Sequence, residues 1–391
     1  MEEFDEYHYN LPGPDVDIRE ERARYARSVY ETSDEGQRLD EFADAMDIEA
    51  SSRFDKQNTD DSYPLLQDVM DAGEQSMQGI RDFYPSWEKF LRERGFRGRP
   101  ASLLAEVVYF TKGLAGVGKL AKEWGNIQPY GYLFWLKKLS QEMRWDDIIE
   151  VAKDALAVLK TGKAREEVSV FLAEAGQMAN DPAIVLQGNQ EKFYSSPCDA
   201  NLKTLLTEAV KQHQREESLK QLLNFYARQT GLSDNEKSLY LKILLLAGNL
   251  DKAWEITEEA KSLGWSSGIA TGLVFGSISA VAADYHENAD TIKRLLIWYC
   301  RKNPTYSYQF SVEEKDQAGF FLNQIIKGLS QTRFQPSKLE KYMDWAFRIG
   351  RERVDGIVSN TNRAAYQRAA WILGSLAEIY IAREISKKLN L

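Results

Sequence analysis

Few residues of this chain have types and spacing suited to chemistry. The first candidate is a G-x-x-x-x-G-K pattern, Gly113, Gly118 and Lys119, inside "YFTKGLAGVGKLAKEWG", Tyr109 to Gly125. In a phosphate-binding loop, glycine N–H groups cradle the phosphates, the lysine reaches the outer ones, and a Ser or Thr hydroxyl holds magnesium. Here Leu120 occupies the hydroxyl position and can ligate nothing. The apolar run before the pattern carries Glu106, and Leu103, Val107, Phe110 and Leu114 recur at helical intervals. No apolar run ending in Asp follows, and alternating strands and helices are missing. The stretch is therefore expected to be a helix–helix joint. Gly113, Gly116 and Gly118 would allow the turn and close packing, with Lys119 and Lys122 in water. A nucleotide-binding enzyme using residues 113–119 is kept as a second alternative function.

Acid–base and nucleophilic chemistry most often uses His or Cys. The histidines are His8, His213 and His286, each in a polar segment and each expected to be solvated. The cysteines are Cys198 and Cys300, at unrelated spacing, so neither a disulfide framework nor a zinc cluster follows. Cys300, in "RLLIWYCRKNP", is expected to be a buried structural thiol. Adjacent carboxylates such as Asp146–Asp147 and Glu258–Glu259 point in different directions on a helix. No catalytic constellation emerges, no cofactor or metal is implied, and the expectation is a non-enzyme.

A basic and aromatic cluster lies in "KGLAGVGKLAKEWGNIQPYGYLFWLKKLSQEMR". Lys119, Lys122, Lys137, Lys138 and Arg144, with Lys112, could neutralise phosphates, while Trp124, Tyr130, Tyr132, Phe134 and Trp135 could stack on bases. The competing reading places Tyr132, Trp135 and Leu136 in a core and the lysines on an outer face.

Composition limits the classes. The chain has 391 residues, 12% aromatic, with only 10 Pro and 25 Gly, which suits helices with short connections. The net charge is −9, but residues 1–62 hold 19 acidic against 7 basic side chains. The remainder is slightly basic, so the acid belongs to one end. The domain as a whole lacks the basic footprint of a nucleic-acid binder. Sparse cysteine usage and the acidic start "MEEFDEYHYN" lead to the expectation of a cytoplasmic protein. Ser262 to Ala283 is uncharged, with Gly264, Gly268, Gly272 and Gly276 on one helical face. A buried helix approached closely by a neighbour is expected there, and no membrane span.

The elements that would position these residues are helical. Residues 1–62 read as an acidic, loosely packed N-terminal arm, partly flexible, with one helix over "DIREERARYARSVYE" presenting Ile18, Tyr25 and Val29. Residues 63–391 read as a helical repeat domain with a possible subdivision near 190–200. Leu202, Leu205, Leu206 and Ala209 line one helix face. Tyr366, Ala369, Ala370, Leu373, Leu376, Ala377 and Tyr380 line another. Ser233 with Glu236, Ser311 with Glu314 and Ser337 with Glu340 fit capping boxes. Pro85, Pro197 and Pro336 are expected just before or at helix starts. In residues 232–265, Gly248 supplies a left-handed turn between two helices, and the second starts near Leu250. "RWDDIIEVAKDA", from Arg144, echoes "NLDKAWEITEEA", from Asn249, at an offset of 105 residues, about three units of a tetratricopeptide-like repeat.

Two stretches carry a family resemblance: "RVDGIVSNTNRAAYQRAAWILGSLAEIYIARE" and, upstream, "DPAIVLQGNQEKFYSSPCDANLKTLLTEA". Over residues 130–385 the chain resembles the helical C-terminal region of bacterial SWIM zinc-finger proteins. The knuckle of three Cys and one His that names that family is absent, so the metal function does not carry over. The resemblance implies a tetratricopeptide-like α-solenoid, with further helix beyond "AREISKKLNL".

The expected fold is thus all-α, a solenoid of stacked antiparallel helix hairpins. The expected function is a scaffold or adaptor that holds a protein or peptide in the solenoid groove, with Tyr226, Tyr240, Trp254 and Trp298 as anchors. The first alternative is an accessory subunit of a nucleic-acid-associated system, for example in phage defence, using the basic cluster.

Overall fold

The computed structural model describes residues 17–48, 63–260, 263, 268–283, 290–301 and 311–388. Gly264, His8 and His286 lie outside them. Among the described residues the protein is all-α, with eighteen α-helices and no strand. It divides into two compact units, residues 1–191 and 192–391.

The first unit contains α1 (Ile18–Thr32), α2 (Arg38–Ala45), α3 (Leu66–Asp71), α4 (Ile80–Glu93), α5 (Arg99–Trp124), α6 (Tyr130–Gln141), α7 (Trp145–Val158) and α8 (Lys163–Met178). The division falls within α9 (Pro182–Ser195). From α4 to α8 each helix packs on the next in the chain. Of the stretch 1–62 expected to be a loose arm, the described residues 17–48 are packed. Within residues 17–48, Ala26, Tyr30, Phe42 and Met46 are fully buried, in one core with Trp87, Leu91 and Leu103. The inward face of α1 is Ala23, Ala26, Arg27 and Tyr30, while Ile18 and Tyr25 are exposed. The acidic side chains hid this stripe, because of its members only Tyr30 is a large apolar side chain. Arg27 is buried by donating to the carbonyls of Met70 and Gln75.

The second unit contains α10 (Asp199–Lys211), α11 (Arg215–Ala227), α12 (Asp234–Leu246), α13 (Leu250–Thr257), α14 (Gly268–Ala282), α15 (Asp290–Tyr299), α16 (Val312–Ser330), α17 (Pro336–Ser359) and α18 (Tyr366–Lys388). Within this unit α10, α11, α12 and α13 pack in sequence, and then the packing turns inward. The apolar α14 is enclosed by α12, α13, α15, α16, α17 and α18, as a helix without a polar face must be. A Cβ on Gly276 would lie 2.7 Å from Leu296, and one on Gly272 would overlap the Tyr299 ring, so both glycines admit α15 closely. No described helix is long and apolar enough to cross a membrane.

One joint recurs. Met143, Asn180, His213 and Gly248 all have left-handed φ, 56°, 53°, 58° and 73°. Each ends one helix of a hairpin: α6/α7, α8/α9, α10/α11 and α12/α13. After each, the next N–H donates five residues back: Arg144 to Leu139, Asp181 to Gly176, Gln214 to Ala209 and Asn249 to Leu244, at 2.7–3.0 Å. This is the Schellman closure of a helix C-terminus. From 143 to 180, 213 and 248 the intervals are 37, 33 and 35 residues. The offset of 105 residues between the two echoing segments therefore resolves into three hairpin units.

Of the three capping boxes, those at Ser233 and Ser311 form. At the third, Pro336 takes the first helical position of α17 and Gln335 the N-cap, which puts Ser337 one residue inside the helix. Pro85 lies inside α4, not at its start. That helix is begun by Gly79, upstream, with φ 72°.

Candidate functional site

The last hairpin carries several exposed apolar side chains on one helix. On α18, Ile372 and Ile379 are fully buried and Ala369 and Leu376 nearly so. They form the inward face. The same helix exposes Tyr366 (43%), Leu373 (51%), Tyr380 (59%) and Ile381 (56%), with Ala370 and Ala377 exposed between them. The seven residues read in the sequence as one face therefore split into two. Ala369 and Leu376 go inward, and Tyr366, Ala370, Leu373, Ala377 and Tyr380 go outward. A helix with a single buried stripe leaves the other side polar; α18 has two apolar stripes.

The neighbours of α18 fix this orientation. Glu378 accepts the backbone N–H groups of Thr291 (3.1 Å) and Ile292 (3.2 Å), which satisfies the first turn of α15. Gly374 lets α15 approach, since a Cβ there would lie 2.6 Å from Thr291. On another side, a Cβ on Gly350 of α17 would touch Leu376 at 3.2 Å and Ile372 at 3.3 Å. Rotating the outward stripe inward would break all of these contacts.

Between α17 and α18 runs an open groove of about 660 Å³. Its floor is Val354 and Leu376, one wall is Leu373, Ala377, Tyr380 and Ile381, and the other is Phe347, Arg348, Arg351 and Asp355. Arg348 reaches Glu352 at 3.6 Å and Arg351 reaches Asp355 at 3.9 Å, both in water. Exposed pairs this loose contribute little to stability and remain available. The groove offers dispersion contact and charge at its rim, and no nucleophile.

The residues expected to anchor a partner are elsewhere. Tyr226, Trp254 and Trp298 are 2%, 6% and 3% exposed, inside the second unit's core. Trp254 packs on Tyr342 and Trp298 on Trp371. Only Tyr240 reaches the surface in part, stacked on Tyr226 at 5.2 Å. Their aromatic area is used between helices, so it is not offered to a partner.

The phosphate-loop pattern lies within α5, a helix kinked at Gly113 (φ 62°) and resumed at Leu114. Gly118 receives the Trp135 ring at 2.7 Å from a would-be Cβ. Lys119 is exposed, Leu120 is buried, and Lys122 pairs with Asp154 at 3.2 Å. The segment is a kinked helix, without the strand and loop of a phosphate site.

The basic–aromatic cluster is likewise divided. Trp124, Tyr132 and Phe134 are buried, and burial pushes the Tyr130 hydroxyl up to about 12. Lys138 lies over the Tyr109 ring at 4.7 Å, and Arg144 pairs with Asp147 and Glu142. Lys119 and Lys137 remain exposed. The aromatic rings that would stack on bases face the core.

Burial likewise pushes the Cys300 thiol up to about 12. His213 is exposed at its hairpin joint. Among the described residues no three His, Cys, Asp or Glu side chains gather as metal ligands. Comparison with known proteins returns nothing: no family model matches the chain, and no curated protein or solved structure matches it.

The exposed stripe of α18 was missed in the sequence, although a signal was there. Tyr366, Leu373 and Tyr380 repeat every seven residues, beside a second set at Ala369, Ile372, Leu376 and Ile379. Together they exceed what one buried face of a helix holds.

Proposed function

We propose that this protein is a helical interaction module without catalysis of its own, and that the groove between α17 and α18 receives a helix of a protein partner. The observation that carries this is the outward stripe Tyr366, Leu373, Tyr380 and Ile381 beside a groove rimmed by Arg348, Arg351 and Asp355. Contiguous exposed apolar surface with a polar rim marks interaction sites. A third helix fits such a groove through residues at i, i+3, i+4 and i+7.

The recurring joints at Met143, Asn180, His213 and Gly248 support a tetratricopeptide-like organisation of residues 130–257, whose unit is about 34 residues. This agrees with what the SWIM resemblance implies for the helical region. The buried thiol of Cys300 and the absence of disulfides among the described residues suit a reducing compartment such as the cytoplasm.

The test is co-purification from the source cells with wild-type and Leu373→Glu chains at equal abundance. The reading expects a protein bound by wild-type and reduced at least about tenfold by Leu373→Glu, as for loss of an interface anchor. Equal recovery with both chains contradicts it.

A further inference from the structure

The groove's occupant can be specified from two patterns, one on its α18 wall and one along α17. The first is apolar. Outward on α18 the order is Tyr366, Ala370, Leu373, Ala377, Tyr380, at steps of four, three, four and three. Large and small residues alternate, and the order of residue types is the same in both directions about Leu373, with tyrosines seven residues to either side and alanines three before and four after. Ile381 lies just past its end. The second pattern is charge. On α17 the order is Arg348, Arg351, Glu352, Asp355, with Glu352 beside the groove lining and exposed next to Arg348. Reversed, each position meets its opposite sign: Arg348 falls on Asp355 and Arg351 on Glu352.

The centres of the two patterns are level. Gly350 packs between Ile372 and Leu376, so Leu373 stands beside the Arg351–Glu352 step. One two-fold axis crossing both helices at that level would therefore serve both patterns. It would lay α18 antiparallel on α18 of a second molecule. Leu373 would meet Leu373, the alanines would admit the tyrosines, and Arg351 would face Glu352. A two-fold interface must be self-complementary, with one patch serving both sides. A surface evolved for an unrelated helix has no need to read alike in both directions.

We infer that the α17–α18 face pairs with a second copy of this chain, forming an antiparallel four-helix contact centred on Leu373. This rests on the reading of the groove as an interaction site and names its partner. Arg351 and Asp355 side chains are 85% and 68% exposed in the single chain and loosely paired at 3.9 Å within it, so they are available to exchange partners across the axis. The charge pattern fixes direction and register, as charges do in paired helices. The apolar stripe supplies the attraction.

Sedimentation equilibrium of the full chain tests this. Wild-type is expected to show a monomer–dimer equilibrium, and Leu373→Glu is expected to be monomeric. Arg351→Glu and Glu352→Arg each set like charges in apposition and should weaken dimerisation by at least about tenfold. The double variant Arg351→Glu/Glu352→Arg restores opposite signs and should return to within about threefold of wild-type. Circular dichroism of each variant checks that the helices are intact, and these exposed positions leave the core untouched. A wild-type chain that stays monomeric at the highest attainable concentration overturns the inference. So does a dimer indifferent to Leu373→Glu, or a double variant as weak as the singles. If wild-type is monomeric while Leu373→Glu still strips a different protein from the chain, self-pairing falls and the interaction reading stands. If neither association depends on Leu373, both fall.

Discussion

Glu106 in the middle of α5 accepts the backbone N–H of Leu66, forty residues earlier, at 2.6 Å, and that of Gln67 at 3.0 Å. The carboxyl is 3% exposed and closes the start of α3 from inside the core. Burial raises it from the usual carboxylate range to about 7, against the lowering effect of the two N–H groups.

A pH dependence follows from that shift. The folded state holds this proton up to about pH 7, whereas the unfolded chain releases it near 4.3. Between those values the native state binds more protons, so stability falls as pH rises. The contribution is fully present below pH ~4 and lost by pH ~7; its ceiling is on the order of 3 kcal/mol. Glu106→Gln should flatten the fall in Tm between about pH 5 and 7. An unchanged slope in the variant would show that the carboxyl does not titrate there.

Neighbouring residues of α18 should respond unequally to truncation. Ile372 is fully buried and Leu373 is half exposed. Ile372→Ala should cost about 2–4 kcal/mol through lost burial and a cavity. Leu373→Ala should cost under about 0.5 kcal/mol in the folded monomer. Urea unfolding at low protein concentration measures both. Equal losses would mean that the helix is turned differently.

Arg215 is a structural cation of the second unit. Nearly buried, it donates to the carbonyls of Leu246 (2.7 Å) and Gln324 (2.9 Å) and to the Gln324 side chain (2.7 Å). It thereby satisfies the end of α12 and ties α16 to it. Arg215→Ala should destabilise by about 3 kcal/mol, because the carbonyls lose charged donors that water cannot replace. Arg215→Lys should recover only part, since one ammonium cannot span three acceptors in a plane. Full recovery with lysine would reduce the role to charge alone.

The hairpin joints differ in what they tolerate. Gly248 has φ 73° and sits against the Gly328 carbonyl and Thr332, with a would-be Cβ 2.5 Å from each. Gly248→Ala meets both strain and overlap and should cost more than about 2 kcal/mol. Met143 at the matching joint already carries a side chain at φ 56°, exposed to solvent. Met143→Gly relieves the left-handed strain and should raise stability by up to about 1 kcal/mol. Thermal unfolding of the two variants checks the contrast, and a loss at both would mean that the joints are not equivalent.

The same joints show what the sequence disclosed. Gly248 announced its turn because glycine is the usual residue there, and the segment after it could be matched to residues 144–155. Asn180 carried a weaker mark, an asparagine followed by Pro182, and His213 carried none, because Schellman closure depends on backbone geometry that several residue types accept. Helix faces with one stripe, such as Leu202, Leu205, Leu206 and Ala209, were legible and are buried. Helix α18 was not, since two apolar stripes on one helix look like a single broad one without its neighbours. Likewise, Tyr226, Trp254 and Trp298 have the composition of interface anchors, and only packing separates an anchor from a core residue.

A cross-linker placed on the outward face of α18 reports directly on what that face binds. A photoreactive phenylalanine at position 373, and a control at the exposed Met178 of the first unit, are irradiated in the source cells. A discrete cross-linked protein adduct is expected from position 373 and none from position 178, with a second copy of this chain as the captured species. Position 373 yielding no more adduct than position 178 would contradict it.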